Sequence, residues 1–308
     1  MNSHTMKSLA AAIFLPIVAC AVFSSQVACA QGLPSVSYDG RHPVTLGHGD
    51  LSVTLDRAPA LDGDRVPVVK GRVRGRVVFS FRIDDAASRE PSAKARVVRL
   101  DPAAPSRQIV VTAFTGGPHC CTETRIVTSD AAHNWHVVEG QRLDGDDGYQ
   151  FKDVDHDGVD ELISYDISFL YAFASYADSF APTRIARLTG IKIEDVTGQA
   201  KYRDFLRAQV REMEKHASSD PAQWHSNGFL AGWVAAKALV GEADEAWTRM
   251  LVSYDKSSDW LLRDCLAAAP PGQCPDDKKI QISFPEALLQ HLADHEYPLP
   301  SHPDIPKP

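Results

Sequence analysis

The sequence lacks the short motifs by which several common enzyme classes are recognised. It contains no Gly-x-Ser-x-Gly, no His-Glu-x-x-His, no phosphate-binding loop and no dinucleotide fingerprint. These absences weigh against the hydrolases, zinc proteases and nucleotide-binding enzymes that carry such motifs. They leave open a glycosidase type of site, because its two carboxylates can come from distant positions that no local motif marks.

An excess of positive charge is also absent. The chain carries 32 Lys and Arg against 40 Asp and Glu, a net charge of −8. Because nucleic acid and anionic lipid surfaces attract basic proteins, we expect neither as a partner. Beyond the amino terminus no hydrophobic run approaches the length of a membrane span, so we expect no transmembrane segment in the mature chain.

The amino terminus has the pattern of an export signal. Lys7 precedes an apolar run over residues 9–23, and Ala28-Cys29-Ala30 supplies the small residues that a signal peptidase cuts after. This pattern predicts a removable signal peptide over residues 1–30 and a periplasmic or secreted protein. Residues 17–20 also resemble a lipobox, so lipoprotein processing at Cys20 is the alternative. In either case the chain leaves the cytoplasm.

Cysteine is scarce, with six residues in the chain. Removal of the signal would leave four, an even number in an oxidising compartment, which favours disulfides. Cys265 and Cys274 bracket a short loop with Pro and Gly, and we expect them to pair. By elimination, Cys120 and Cys121 would then form a vicinal disulfide or stay as thiols.

The hydrophobic pattern divides the chain into a β-rich region and a helical region. Short β-branched runs bounded by turn residues fill residues 31–198, without a helical period between them, which favours antiparallel pairing. Residues 199–297 show helical periods instead. The sequence therefore predicts an α+β fold, with an antiparallel open sheet or sandwich followed by a small α-helical region. Residues 298–308 are rich in proline and predict an extended, mobile tail.

The stretch "FKDVDHDGVDELI" at residues 151–163 carries the clearest chemical signal in the chain. Aspartates at alternate positions of a tight loop can converge on one point, and Gly158 permits the turn that brings in the next carbonyl. A set of oxygen ligands suits a hard cation, and its crowding suits Ca²⁺ better than Mg²⁺. The predicted ligands are the side chains of Asp153, Asp155, Asp157 and Glu161 and the carbonyl of Val159.

Position counting separates this loop from the EF-hand. An EF-hand loop needs a bidentate Glu at position 12, where this chain has Ser164, and its carboxylate comes instead at position 9, Glu161. The arrangement resembles the FG-GAP and VCBS type of calcium loop, Asp-x-Asp-x-Asp-Gly-x-x-acid before an apolar strand. That resemblance implies a loop between neighbouring strands, with the five predicted ligands in the same roles.

Three stretches together, "TGGPHCC", the acidic loop and "FLYAFASYADSFAP", look like those of uncharacterised proteobacterial secreted proteins. The resemblance implies export and a similar fold, and it carries no catalytic residue. "TGGPHCCTE" has two interpretations, a Cys-His nucleophile or a turn held by a disulfide, and we favour the turn. Phe169, Tyr171 and Phe173 alternate along a predicted strand, either as core or as a face that stacks on a ligand. We favour the core.

These observations predict an exported, calcium-stabilised binding or structural protein, and a binding role is favoured over an enzymatic one. Its ligand would be a protein or a glycan that the sequence does not identify. The alternative is an exported hydrolase of cell-wall or carbohydrate material, with carboxylates of the acidic region as acid and base.

Overall fold

The computed structural model describes residues 33–117, 119–145, 148–267, 273–303 and 305. The predicted signal peptide and the lipoprotein alternative at Cys20 lie outside these residues. Within them, no helix combines the length and the apolar character needed to span a membrane. The strands are β1 (Ser35–Tyr38), β2 (Val44–His48), β3 (Leu51–Pro59), β4 (Arg65–Val73), β5 (Arg76–Arg82), β6 (Ala93–Val98), β7 (Gln108–Phe114), β8 (Cys120–Ser129), β9 (Trp135–Glu139), β10 (Leu143–Asp144), β11 (Gln150–Lys152), β12 (Glu161–Tyr165), β13 (Thr183–Thr189), β14 (Lys192–Asp195), β15 (Arg263–Cys265) and β16 (Lys279–Gln281). The helices are α1 (Arg203–Ser219), α2 (Asn227–Leu239), α3 (Ala243–Ser253) and α4 (Phe284–Asp294).

The strands form three larger antiparallel sheets and one hairpin. The central sheet runs β1-β6-β7-β8, with β9 and β10 both paired to the outer edge of β8. The second sheet is the meander β2-β3-β4-β5 and the third is β11-β12-β13-β14, while β15 and β16 pair inside the helical region. The predicted α+β fold, with antiparallel sheets in an open sandwich followed by helices, is confirmed.

The central sheet is covered on both faces, and β7 shows why its sequence permits this. Side chains along a strand alternate between the two faces of a sheet. Ile109 and Val111 pack with Val53 of the second sheet, whereas Val110 packs with Leu162 of the third. The continuous apolar run of β7 therefore serves two cores.

The third sheet joins the β region to the helices. Its outer face contributes Ile163 and Ile185, which pack with Leu206 and Val210 of α1. Helix α2 is buried on nearly all sides and forms the centre of a further core with α3 and α4. Four layers thus follow one another, from the second sheet through the central and third sheets to the helices.

The segment of residues 167–180 corrects one prediction. We expected a strand with alternating aromatic residues, but the chain forms short 3-10 turns at Ile167–Phe169 and Tyr176–Asp178. Phe169 and Phe173 are core residues, as favoured, while Tyr171 is 50% exposed and has a positive φ of 62°. A positive φ is incompatible with a β-strand, and it turns the Tyr171 side chain away from the core.

The four cysteines of the described chain form two disulfides. Cys120 pairs with Cys121 and Cys265 pairs with Cys274, as the sequence predicted.

The proline-rich tail differs from the mobile tail that we expected, because its described part contacts the fold. Pro300 is buried, and the backbone and hydroxyl of Ser301 donate hydrogen bonds to the carboxylate of Asp244 at the start of α3.

Candidate metal centre

The acidic loop, residues 153–161, connects two neighbouring strands of the third sheet. Strands β11 and β12 pair in antiparallel register with Lys152 opposite Glu161, so the loop closes a hairpin. Two of its residues have positive φ, 62° at His156 and 86° at Gly158. Because glycine adopts such angles at little cost, Gly158 supplies the sharp turn that the sequence predicted.

Backbone amides hold the aspartates of the loop in place. The amide of Asp157 donates to Asp153 Oδ1 at 3.1 Å and to Asp155 Oδ1 at 3.2 Å, and the amide of Gly158 donates to Asp153 Oδ2 at 2.9 Å. The amide of Val154 donates to Glu161 Oε2 at 2.9 Å. These bonds fix the carboxylates before any ligand arrives, since each restricts a side-chain rotamer.

Three predicted ligands come together. Asp153, Asp155 and Glu161 each offer a carboxylate oxygen, and these oxygens lie within 4.8 Å of one another. Calcium binds oxygen at 2.3–2.6 Å, so two ligands across the ion can be about 5 Å apart. The side chain of Asp155 is 7% exposed and that of Glu161 is fully buried. The spacing and the chemistry of this set fit one calcium ion.

Asp157 and Val159, the other two predicted ligands, make different contacts. Asp157 turns towards Arg187, whose Nη1 donates to Asp157 Oδ2 at 2.7 Å, so Asp157 lies outside the group of three. The amide of Val159 donates to Asp157 Oδ1 at 2.9 Å, and its side chain is buried. Asp160, which was not a predicted ligand, bonds with the backbone of Arg99 after β6.

Two cations that the sequence pattern did not indicate reach the loop from later parts of the chain. Lys201 Nζ lies 2.6 Å from Asp155 Oδ2. Arg187 Nη1 lies 2.7 Å from Asp157 Oδ2 and 3.6 Å from Glu161 Oε1. Arg187 belongs to β13, where Ala186 pairs with Leu162 of β12, so only the strand register places it beside Glu161. The sequence around Arg187 and Lys201 contains no pattern that predicts these contacts.

Burial and these partners shift the pKa values of the buried carboxylates in opposite directions. Desolvation raises the pKa of Glu161 above its ordinary value, although Val154, Arg187 and Tyr202 favour its ionised form. Desolvation is also the largest single influence on Asp155, but the hydrogen bonds from Lys201 and the Asp157 amide and the charges of Lys201 and Arg187 together outweigh it, so the pKa of Asp155 is lowered. Removing a buried charge from water is costly unless a cation compensates it. Glu161 is the group that gains most from a further cation.

The arrangement suits ion binding better than acid–base catalysis. Glycosidase carboxylates stand about 5–9.5 Å apart to admit a sugar bond and water. The loop oxygens lie within 4.8 Å of one another and are held by amides, Arg187 and Lys201. Such a cluster can hold a cation between its oxygens.

Two proteins are similar to most of the chain. "Uncharacterized protein y4bJ" of Sinorhizobium fredii (strain NBRC 101917 / NGR234) is 37% identical over 267 residues, which cover 86% of this chain and 42% of that protein. "Probable thylakoid lumen protein sll0997" of Synechocystis sp. (strain ATCC 27184 / PCC 6803 / Kazusa) is 34% identical over 254 residues, 81% of this chain and 74% of that protein. A model of the sll0997 C-terminal domain matches residues 206–296. No solved structure matches the chain.

Proposed function

We propose that this chain, a member of the family of the Synechocystis protein sll0997, is an exported, calcium-stabilised binding or structural protein. One observation carries the calcium proposal. Three carboxylate oxygens from a single loop, organised by backbone amides, converge within 4.8 Å, and one of them belongs to a fully buried glutamate.

The charge balance of the loop supports a divalent ion. The predicted ligands Asp153, Asp155, Asp157 and Glu161 bring four negative charges, and Arg187 and Lys201 return two positive charges. Asp160, the fifth carboxylate of the loop, bonds with the backbone of Arg99 and is left out of this sum. The remaining charge of −2 would be balanced by one calcium ion. Carboxylates about 4 Å apart repel by roughly 4 kcal/mol at an effective dielectric constant near 20, so the bound ion would relieve a local repulsion.

The export proposal combines several observations. The relative from Synechocystis is named a probable thylakoid lumen protein, a compartment that proteins reach by crossing a membrane. Two disulfides are formed by the described residues, and disulfides persist in oxidising compartments. We place this chain in the periplasm or outside the cell. Fractionation of expressing cells should recover the mature chain there, and recovery of the full-length chain from the cytoplasm would contradict this.

A binding role is supported by an aromatic group at the surface. Tyr165 and Tyr171 are 38% and 50% exposed, and Tyr176 lies 5.6 Å from Tyr171 between ring centroids. Exposed tyrosines of this kind can contact a protein or a glycan, because the ring is apolar and the hydroxyl forms hydrogen bonds. We propose a partner of one of these two classes.

Thermal unfolding with calcium or with chelator tests the calcium proposal. Calcium at a hundred times its dissociation constant should add about 2.7 kcal/mol to the free energy of unfolding. The variant E161Q should lose most of this gain, while D62N, at an exposed position far along the sequence from the loop, should keep it. An unchanged midpoint, together with no calorimetric heat at millimolar calcium, would show that the loop binds no calcium.

A further inference from the structure

The vicinal disulfide Cys120–Cys121 lies beside a hydrogen-bonded group of titratable side chains. His119 Nδ1 is 3.4 Å from Asp144 Oδ1, and His119 Nε2 is 3.1 Å from the hydroxyl of Tyr171. The ring of Tyr176 stacks on His119 at 4.1 Å between centroids. This group combines the "TGGPHCC" stretch with the aromatic segment, two features that the calcium loop does not explain.

Asp144 is the unusual member of the group. The residue is 9% exposed, and its Oδ2 atom is buried with no well-aligned hydrogen bond from the residues that the structure describes, although the hydroxyl of Tyr176 interacts with the carboxylate. A buried carboxylate oxygen left in this state costs free energy. One carboxylate oxygen of Asp144 also lies within 4.8 Å of both sulfur atoms of the disulfide. The carboxylate therefore lies next to two sulfurs that offer no proton while they are bonded together.

Reduction of the disulfide would supply two further hydrogen-bond donors beside this carboxylate. Each thiol carries an S–H group, and a carboxylate is an acceptor for it. The reduced state then gains a hydrogen bond that the oxidised state lacks. A pair of adjacent cysteines also encloses no intervening chain, so in the chain-entropy model it restricts the unfolded state very little. A role in holding the fold together explains this disulfide poorly.

The two cysteines differ in access. Cys120 is exposed at the start of β8, whereas Cys121 is 7% exposed. Thiol–disulfide exchange depends on which sulfur can be reached, because the attacking sulfur must approach it directly. Cys120 is thus the sulfur open to attack, and Cys121 is the sulfur that leaves.

The second disulfide provides a contrast within the same molecule. Cys265 and Cys274 close a loop with a sequence separation of nine. Among the described residues, no carboxylate oxygen lies within 4.8 Å of both of their sulfurs. This pair closes a loop, as structural disulfides do, and it has no neighbouring carboxylate like that of Asp144.

We propose that Cys120–Cys121 is a redox-active disulfide that exchanges with an exported dithiol. The sulfur of the incoming dithiol attacks Cys120, a mixed disulfide forms, and the electron pair of the broken bond goes to Cys121. Asp144 accepts the proton of the attacking thiol and passes it to the Cys121 sulfur. The second thiol of the dithiol then attacks the partner's own sulfur in the mixed disulfide, the electron pair of that S–S bond goes to Cys120, and the proton of the second thiol ends on the Cys120 sulfur. The partner leaves as a disulfide and the protein becomes a dithiol. This proposal does not depend on calcium.

Redox equilibration of the mature wild-type protein tests the proposal without any substitution. The protein is held in mixtures of reduced and oxidised dithiothreitol, quenched, alkylated and digested for mass spectrometry. We expect Cys120–Cys121 to be half-reduced at a ratio of reduced to oxidised probe at least tenfold lower than Cys265–Cys274 requires, about 30 mV for this two-electron couple. Reduction of both pairs at the same ratio, or of Cys265–Cys274 first, would overturn the proposal.

Single-cysteine variants test the direction of attack. With glutathione disulfide as probe, C121S should form a mixed disulfide at Cys120, because no resolving cysteine remains. C120S should react at Cys121 at least tenfold more slowly, since that sulfur is buried. Equal rates in the two variants would contradict the assignment of Cys120 as the attacked sulfur.

The role of Asp144 is tested by the exchange rate of variants. The carboxylate contacts His119 and Tyr176, and its interaction with Tyr176 raises the pKa of that tyrosine to about 12. Tyr165 bonds to the backbone carbonyl of Asp144, and Tyr171 bonds to His119. In D144N the exchange rate should fall at least tenfold at pH 7, and D144E should restore part of it, while the control D62N should match wild type. A D144N rate equal to that of wild type would exclude Asp144 as the proton acceptor.

Discussion

The imidazole of His291, on α4, is partly buried among aromatic side chains of the helical region. Its ring centroid is 4.5 Å from that of Phe169 and 5.2 Å from that of Phe173, and its Nε2 is 3.2 Å from the hydroxyl of Ser168. Burial, with the neighbouring His295, lowers the pKa of His291 to about 4. A group that must stay neutral to remain buried makes stability depend on pH.

The direction of that dependence follows from the two pKa values of His291. The ordinary value is 6.5, so the stabilisation is complete above pH 6.5 and is lost as the pH falls towards 4. We expect wild type to lose about 2 kcal/mol more than H291Q between pH 7 and pH 4, a discounted value because the ring is partly solvated. Urea unfolding at several pH values measures it. Parallel curves for the two proteins would contradict the prediction.

Replacing Lys201 should strengthen calcium binding but lower the stability of the calcium-free protein. Its ammonium group compensates Asp155 in the absence of an ion and competes with an ion for the same oxygen. K201M should therefore bind calcium several-fold more tightly, yet lose about 1–2 kcal/mol of stability in chelator, because a buried carboxylate loses its partner. Calorimetry and unfolding in chelator measure the two effects. K215M, on an exposed helical pair, is the control and should change neither.

At the residue scale, the sequence predicted those side chains of the site that lie within one short loop. Asp153, Asp155 and Glu161 were identified because they alternate around Gly158, and alternation within one loop decides which side chains converge. Arg187 and Lys201 could not be identified in this way, since strand pairing and the packing of the helical region bring them to the loop. A local pattern contains neither kind of information.

Helix α2 illustrates the element scale, because it has almost no solvent-exposed side. Two of its glycines allow the 167–180 segment to approach closely. A Cβ atom added at Gly232 would lie 2.2 Å from the carbonyl oxygen of Phe180, and one added at Gly228 would lie 2.1 Å from that of Asp178. The backbone contact depends on the missing side chains at these two positions.

The substitution G232A should therefore destabilise the protein although alanine is the better helix former. Alanine gains about 1 kcal/mol of intrinsic helix propensity, but the clash with a backbone carbonyl costs more, and we expect a net loss of about 2 kcal/mol. G198A is the control, because a Cβ there meets no atom within 4 Å and its change should stay within about 0.5 kcal/mol. Denaturant unfolding compares both. A G232A protein as stable as wild type would refute the close approach.

At the element scale, long periodic segments were predictable and irregular ones were not. The helices α1 to α4 all lie within the predicted helical region of residues 199–297, and the side chain of Ser226 caps the first turn of α2. The run "GRVRGRVVFSF" divides into β4 and β5 at Arg74 and Gly75, which both have positive φ. The hairpin of β15 and β16 was missed, because strands of three residues are too short to show a period.

On the scale of the whole molecule, polar contacts connect the β region to the helical region. Tyr202, before α1, donates to Glu161 at 3.2 Å, and Tyr297, after α4, donates to Asp166 at 2.8 Å. Arg184 of β13 also contacts Asp166 at 2.9 Å. These contacts are buried or partly buried, and the third sheet shares a core with α1. The two regions therefore stabilise each other.

We expect the mature protein to unfold in one cooperative transition. Tryptophan fluorescence reports mainly on the helical region, which contains Trp224, Trp233, Trp247 and Trp260, whereas far-UV circular dichroism reports on strands and helices together. The two denaturation curves should coincide, as two-state unfolding requires. Separate midpoints would show that the regions are independent domains.

The layered arrangement of the sheets has a consequence for how the chain reaches its native state. One face of the central sheet is covered by β2 to β5, which come early in the chain, but the other face is covered by β11 to β14, which end at Asp195. A chain that has emerged only as far as β9 can build the sheet but leaves an apolar face in water, a surface prone to aggregation. This face is therefore covered only after the acidic loop and the strands that follow it have joined the fold.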